Sequence, residues 1–275
     1  MHVISLQSGS NGNCVYVEAD GVRLLFDAGI SGKQAELRLA SHGRDICRAD
    51  AVVISHDHWD HARCMGIFQR KFGLPVHVTT KTLDAAARRC RLGPIEVVHH
   101  FESAAVLRFG DVSVETIPTA HDATDGVAFV VDDGRHRVGI LTDLGHVFDG
   151  LEAIVASLDA IVLESNYDAD MLAGGDYPER LKRRIRGRHG HLSNVEAARL
   201  LRDAAGERMQ WACLAHLSED NNDPEVALQT HRKILGDRFP LHVAGRYEAT
   251  DVLETSERVS EGRVKGCHGR LARPC

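Results

Sequence analysis

The chain has 275 residues, 43% of them hydrophobic and 26% charged, and a formal net charge of −6. That is the make-up of an ordinary globular protein, long enough to bury a large core. The negative balance does not advertise a general nucleic-acid binder, and no apolar run approaches the ~20 residues that a membrane span needs.

Taken in order, Val3 to Leu6 reads as a short strand, followed by the loop Gln7-Ser8-Gly9-Ser10-Asn11-Gly12-Asn13, whose backbone amides can turn inward around an anion. Val15-Tyr16-Val17 and Val22 to Phe26 flank Asp20-Gly21, a hairpin signal. The second strand delivers Asp27-Ala28-Gly29 to its end. Ser31 with Gln34 forms a capping box for a helix through Ala40, with Gly43 expected at its C-terminal cap. Ala51 to Ile54 reads as a buried strand, and a helix is expected from Ala62 to Lys71 before Gly73-Leu74-Pro75. Val76-His77-Val78 is the next strand and Thr82 to Cys90 the next helix. Residues 96–143 read as strand-rich, with turns at Gly110-Asp111 and Asp132-Asp133-Gly134.

The second half repeats the pattern. Leu158 to Leu163 is a strand ending at Glu164, and Arg180 to Arg188 carries six cations in nine residues. Ser193 caps a helix to Ala205 with Glu196 three residues on, and Trp211 to Ala215 is a strand ending at His216. Asp223-Pro224-Glu225 starts a further helix, and Leu241 to Ala244 is the last strand. One domain over residues 1–254 is expected, with a mobile tail over 255–275. Met1-His2-Val3-Ile4-Ser5 has no basic region or long apolar core, and the cysteines at 14, 47, 64, 90, 213, 267 and 275 are scattered. Both features point to a reducing, cytoplasmic setting.

The densest chemistry follows the strand that begins at Ala51: His56-Asp57-His58-Trp59-Asp60-His61. In extended chain His56 and His58 point the same way, while Asp60 and His61 come from the following turn. His121, Asp143 and His216 also lie just beyond apolar runs. Five imidazoles and two carboxylates suffice for two cations sharing one carboxylate, and zinc and manganese accept such ligands. Two ions ~3.5–4 Å apart polarise a substrate oxygen, generate hydroxide near neutral pH and stabilise the leaving oxygen.

His56-x-His58-x-Asp60-His61, with Asp27-Ala28-Gly29 upstream and His121, Asp143 and His216 downstream, resembles the metallo-β-lactamase superfamily over residues 3–245. The resemblance implies an α/β fold, a four-layer αββα sandwich with a dinuclear site at one edge of its two sheets. It implies that His56, His58 and His121 hold the first ion, that Asp60, His61 and His216 hold the second, and that Asp143 lies between them. Asp27 matches a supporting position beside the metals. Asp143 stands where true β-lactamases typically carry cysteine, which counts against antibiotic hydrolysis.

Glu164-Ser165-Asn166-Tyr167 and His189-Gly190-His191-Leu192-Ser193-Asn194 are similar to motifs of the tRNA 3′-end-processing ribonucleases. There the histidine matching His191 helps protonate the leaving group and an acidic residue orients it, so His191, Glu164 and Asp60 are the expected catalytic residues. No long inserted arm for gripping tRNA is present. Ser8 to Cys14 and Ala215 to Asn222 look like the bacterial YycJ-type branch, associated with 5′-to-3′ exonuclease action on double-stranded DNA.

The expected function is therefore metal-dependent phosphodiester hydrolysis on nucleic acid, foremost a 5′-to-3′ DNA exonuclease with two zinc or manganese ions. A phosphodiester needs its charge neutralised, a water activated and its leaving oxygen protonated. Ser8, Ser10, Asn11, Asn13, Arg183, Arg184, Arg186, Arg188, Ser193 and Asn194 are the expected phosphate contacts. No aromatic ladder for stacking bases is visible. The alternative is a small-molecule hydrolase of the same fold, cleaving a cyclic phosphodiester, thioester or lactone, which the charge of −6 favours. A non-catalytic sensor is disfavoured by the complete ligand set.

Overall fold

The computed structural model describes residues 1–256. The first sheet runs through β1 (His2–Gln7), β2 (Cys14–Ala19), β3 (Val22–Phe26), β4 (Ala51–Val53), β5 (Val76–Val78) and β6 (Val98–His100), with β14 (Leu253–Glu254) returning beside β1. The second runs from β7 (Val106–Phe109) through β8 (Val112–Pro118), β9 (Val127–Asp132), β10 (Arg137–Leu141), β11 (Ala160–Glu164) and β12 (Trp211–Ala215) to β13 (Leu241–Val243). Each sheet changes from antiparallel to parallel pairing part-way, at β3 in the first and β10 in the second. The hairpin over Asp20-Gly21 pairs Ala19 with Val22, as its turn chemistry requires.

Alternation along the strands decides what each face buries. Val15, Val17, Leu24, Phe26 and Val53 of the first sheet meet Val114, Phe129, Val131, Ile140 and Val162 of the second. Phe26 and Phe129 meet across that seam, tilted by 49° with centroids 5.0 Å apart. Truncating either ring to alanine would cost about 3–5 kcal/mol.

The outer face of the first sheet carries α1 (Gly32–Ala40) and α3 (Met65–Phe72), with α4 (Thr80–Arg89) at its far side. The outer face of the second carries α5 (Leu151–Ala156) and α8 (Asn194–Ala204). Helix, sheet, sheet, helix is the expected αββα sandwich. The short helices α2 (Trp59–Ala62) and α6 (Ala169–Gly174), with α7 (Glu179–Arg186), α9 (Pro224–Leu235) and a 3₁₀ turn over Ile46–Arg48, complete the described elements.

Several local expectations are corrected. The helix expected over Ala62–Lys71 is two, because the Cys64 amide donates to Ala28 O at 2.9 Å instead of continuing the helical ladder. The α1 cap is Ser41, and left-handed Gly43 turns the chain only afterwards. The helix expected from Thr82 begins at Thr80, with the Thr79 side chain accepting from the Thr82 amide. Thr255 and Ser256, the first residues of the expected tail, are held in place: Thr255 is buried and bonded to Met1, and Ser256 bonds Gln210. The rest of that tail lies outside the described residues. Among them no helix is long and apolar enough to cross a membrane.

Candidate active site

The site lies beyond the carboxyl ends of the parallel strands, where an open α/β sheet leaves a crevice. β3 leads to Asp27, β4 leads to His56, β10 leads to Asp143, β11 ends at Glu164 and β12 leads to His216. Asp27, Asp143 and His216 all adopt left-handed backbone, with φ of 65°, 54° and 56°. Such strain persists only where surroundings over-determine it, and it clusters at functional sites. At His216 the surroundings are explicit: Ser8 Oγ accepts its amide at 2.8 Å and Asn166 Nδ2 donates to its carbonyl at 2.7 Å.

The segment Asp27-Ala28-Gly29 is laid directly on the histidine string. Ala28 N donates to His61 O and Asn13 N to Asp60 O, both at 2.7 Å. A Cβ on Gly29 would fall 1.6 Å from Asp60 O, so only glycine permits this approach.

Two overlapping sets of ligand atoms result. His56, His58 and His121 each bring one such atom within 4.8 Å of the others, and so do Asp60, His61 and His216. Asp143 reaches both sets, with Oδ2 3.2 Å from His61 Nε2 and Oδ1 3.7 Å from His121 Nε2.

The outward partners of the rings aim them. His121 Nδ1 donates to Gly190 O at 2.7 Å and His61 Nδ1 to Asp27 Oδ2 at 2.7 Å, which leaves Nε2 of each for the cleft. His56 Nδ1 contacts Ser55 Oγ at 2.9 Å, and its buried Nε2 has no hydrogen-bond partner. An orphaned imidazole nitrogen among histidines and carboxylates is the donor set a divalent cation completes. The residues present fit such ions.

Electrostatics follow the same pattern. Burial, with His61 beside it, pushes His56 well below the usual histidine range, and burial next to His121 lowers His58. Burial also lowers His121, against the pull of Asp143. Burial works against charge on His61, yet Asp27, Asp143 and Asp60 together raise it well above the usual range. The carboxyls of Asp60 and Asp143 resist burial because the surrounding imidazoles, His61 and His216 foremost, hold them well below theirs.

His191 borders this cluster, its ring centroid 4.7 Å from that of His121 and 5.2 Å from that of His216. Its Nδ1 donates to Glu164 Oε1 at 2.6 Å, and Glu164 Oε2 accepts the Leu144 amide at 3.2 Å. Glu164 is fully buried, and it raises His191 against the effect of burial. Ser10, His58, Trp59, Asp60, Arg89 and Arg184 wall a cleft of about 360 Å³ with His121, Asp143, His191 and His216.

Of the expected phosphate contacts, Ser10 and Arg184 line this cleft. The remainder are engaged within the protein. Asn194 is fully buried, its amide shared with Ser165 and Asn222. Ser193 closes the capping box of α8, Ser8 holds His216, and Asn13 binds Gly9 O and Asp60 Oδ2. Asn11 O accepts from Arg63. Arg186 pairs with Glu179 at 2.8 Å, Arg183 Nε donates to Glu179 O, and Arg188 lies against His146. Lys182, counted among the six cations, is buried and donates to Ala173 O at 2.7 Å. Even Arg184 is held bidentate by Asp122, at 2.5 and 2.8 Å.

Ser55, Arg89, Asp122 and Asn166 are site residues that sequence reasoning missed. Adjacency could have found Ser55 and Asp122, beside His56 and His121. Arg89 carries no such signal: it arrives on α4 through a 3.0 Å ion pair with buried Asp57.

A family model described as a beta-lactamase superfamily domain matches residues 22–217. The chain belongs to that superfamily. The chain thus has the superfamily fold and is a superfamily hydrolase. Within the superfamily, the chain is 34% identical over 249 residues to exodeoxyribonuclease YycJ of Bacillus anthracis, covering 88% of this chain and 94% of that one. It is 37% identical over 229 residues to exodeoxyribonuclease WalJ of Streptococcus pneumoniae, covering 82% and 84%. Among solved structures, the metallo-beta-lactamase fold protein YhfI of Bacillus subtilis superposes with a TM-score of 0.68 at 17% identity, over 90% of this chain and 98% of that one. The short form of human tRNase Z gives 0.63 at 17%, over 92% and 100%. These two likenesses concern the fold alone.

Proposed function

We propose that this superfamily member is a metal-dependent nuclease, a 5′-to-3′ DNA exonuclease working with two divalent ions, zinc or manganese. The observation that carries the reading is the placement of Asp143 between the two histidine sets, with the His191–Glu164 pair on the same cleft. The exodeoxyribonuclease names of relatives at 34% and 37% identity support DNA as the substrate.

In this reading His56, His58 and His121 hold one ion, Asp60, His61 and His216 the other, and Asp143 joins them. When bound, the ions would neutralise the non-bridging phosphate oxygens and acidify the attacking water. His191, oriented by buried Glu164, presents Nε2 to the cleft and gives the departing oxygen its proton. Arg184 and Arg89, fixed by Asp122 and Asp57, hold the phosphate in line. Asp60 orients His216 and closes the second set, with Oδ2 3.3 Å from His216 Nε2. The free thiols of Cys14, Cys47, Cys64, Cys90 and Cys213 suit a cytoplasmic enzyme.

The test is digestion of end-labelled duplex DNA by protein stripped with a chelator and then supplied with zinc or manganese. Nucleotides should leave from the 5′ end only with metal, and His58→Ala and Asp143→Ala should each abolish release while circular dichroism stays native. Hydrolysis of a thioester or lactone with intact DNA would replace this reading by the small-molecule alternative.

A further inference from the structure

The two tryptophans of the chain are held in opposite ways. Trp211 is 4% exposed, and its Nε1 donates to Glu254 O at 2.8 Å. Trp59 is 52% exposed and stands in the wall of the cleft. A lone exposed apolar side chain is ordinary on a protein surface. Trp59 differs in where it stands and how it is held.

It is the first residue of α2, between His58 and Asp60, so the backbone that positions two ligand candidates also positions the indole. Arg63, four residues on and therefore on the same helical face, places its guanidinium carbon 3.5 Å from the ring centroid. Arg63 Nη2 in turn donates to Asn11 O at 3.0 Å, which pins the brace to the glycine-rich loop. One face of the indole is thus covered by a fixed cation while half of the residue stays in solvent. Ser10, Arg89, Arg184 and His191 line the same cleft.

We propose that Trp59 is a stacking platform for a nucleobase beside the scissile phosphate, with Arg63 as its brace. The proposal rests on the nuclease reading and adds to it a contact to the base itself. Every nucleobase has a π-face, so a stacked indole grips without reading sequence. Holding the ring in one orientation beforehand lowers the ordering cost of binding. A phosphodiester without a base would gain nothing from it, so Trp59 would set the preference for nucleotides over small phosphodiesters.

The test is a double-mutant cycle between enzyme and substrate. Duplex DNA carrying an abasic site at the terminal or the penultimate position of the degraded strand is compared with intact duplex. KM is measured for the metal-loaded wild type, Trp59→Ala, Trp59→Phe and Arg63→Ala, with the metal content of each. The wild type should bind one of the two abasic substrates roughly 10-fold more weakly than intact DNA. Trp59→Ala should abolish that difference, Trp59→Phe should keep most of it and Arg63→Ala should reduce it. If Trp59→Ala proves unable to hold metal, Trp59→Phe and Arg63→Ala decide: an undiminished base preference in Arg63→Ala overturns the brace, and loss in Trp59→Phe of the base preference that the wild type shows overturns the platform. Equal use of intact and abasic ends by the wild type, or the same preference in Trp59→Ala, overturns the platform. Failure of the nuclease reading looks different, as wild-type protein that cleaves none of these substrates.

Discussion

Asp27 Oδ2 accepts the Nδ1 proton of His61 at 2.7 Å, joining the residue that follows β3 to one on α2. The bond turns His61 Nε2 toward Asp60 and Asp143, 3.4 and 3.2 Å away. Ser55 ties the same carboxylate to His56, so one buried aspartate steadies a ring in each set. Asp27→Asn should keep the side chain's volume and weaken this orientation. A loss of 10–100-fold in affinity for the more weakly held ion is expected. Competition with a graded chelator measures it, and unchanged affinities would make Asp27 a packing residue.

The His191–Glu164 pair should matter in proportion to how badly the leaving group needs a proton. His191→Ala is expected to slow DNA hydrolysis by roughly 10²–10⁴-fold. Bis(p-nitrophenyl) phosphate releases a phenolate that departs unprotonated, so its hydrolysis should fall far less. Equal losses on both substrates would assign His191 to holding metal, a role its place beside Asp143 and His216 would also permit.

The basic helix makes a graded prediction. Arg184→Glu, on the cleft wall, should weaken DNA binding strongly and flatten its salt dependence by about one released counterion for each phosphate no longer gripped. Arg183→Glu, bonded back to its own helix, should do much less. Binding measured across a salt series separates the two, and identical slopes would return the whole helix to a solvated face.

His231 offers a stability test away from the site. It is fully buried on α9, its Nδ1 donates to Ala227 O at 2.9 Å, and burial brings it down to about 4 from 6.5. Below pH 6.5 the unfolded chain takes up a proton that the folded one refuses. This contribution is therefore present above pH 6.5 and lost as pH falls toward 4, by roughly 3 kcal/mol in all. Urea unfolding of chelator-treated wild type and His231→Asn, from pH 7 to 4, should show the variant gaining on the wild type. A pH-independent difference would mean that His231 titrates normally.

The ligand candidates were legible because their signal is local. An apolar run followed at once by His56, His121, Asp143, Glu164 or His216 states in a few residues that a buried strand delivers a polar group to its end. The hairpin at Asp20-Gly21 and the capping boxes of Ser31 and Ser193 are equally local, each closed by hydrogen bonds within three residues. Fold class followed from the superfamily resemblance that these same motifs carry. What the sequence could not show is direction. Lys182 and Arg184 lie two residues apart on one helix, yet one is buried against Ala173 and the other faces the cleft, because α7 packs its Leu181 and Ile185 side against Tyr167 and Leu172. Asn194 and Ser10 look alike as polar loop residues, and only packing spends one on Ser165 and leaves the other exposed. Arg89 reaches the cleft through Asp57, a partner on another segment, and Trp59 is braced by Arg63 of its own helix, which is bonded to distant Asn11. Ligand identity is a property of a strand and its end, whereas a side chain's freedom to meet substrate depends on every group that competes for it, and those competitors are assembled only when distant segments pack.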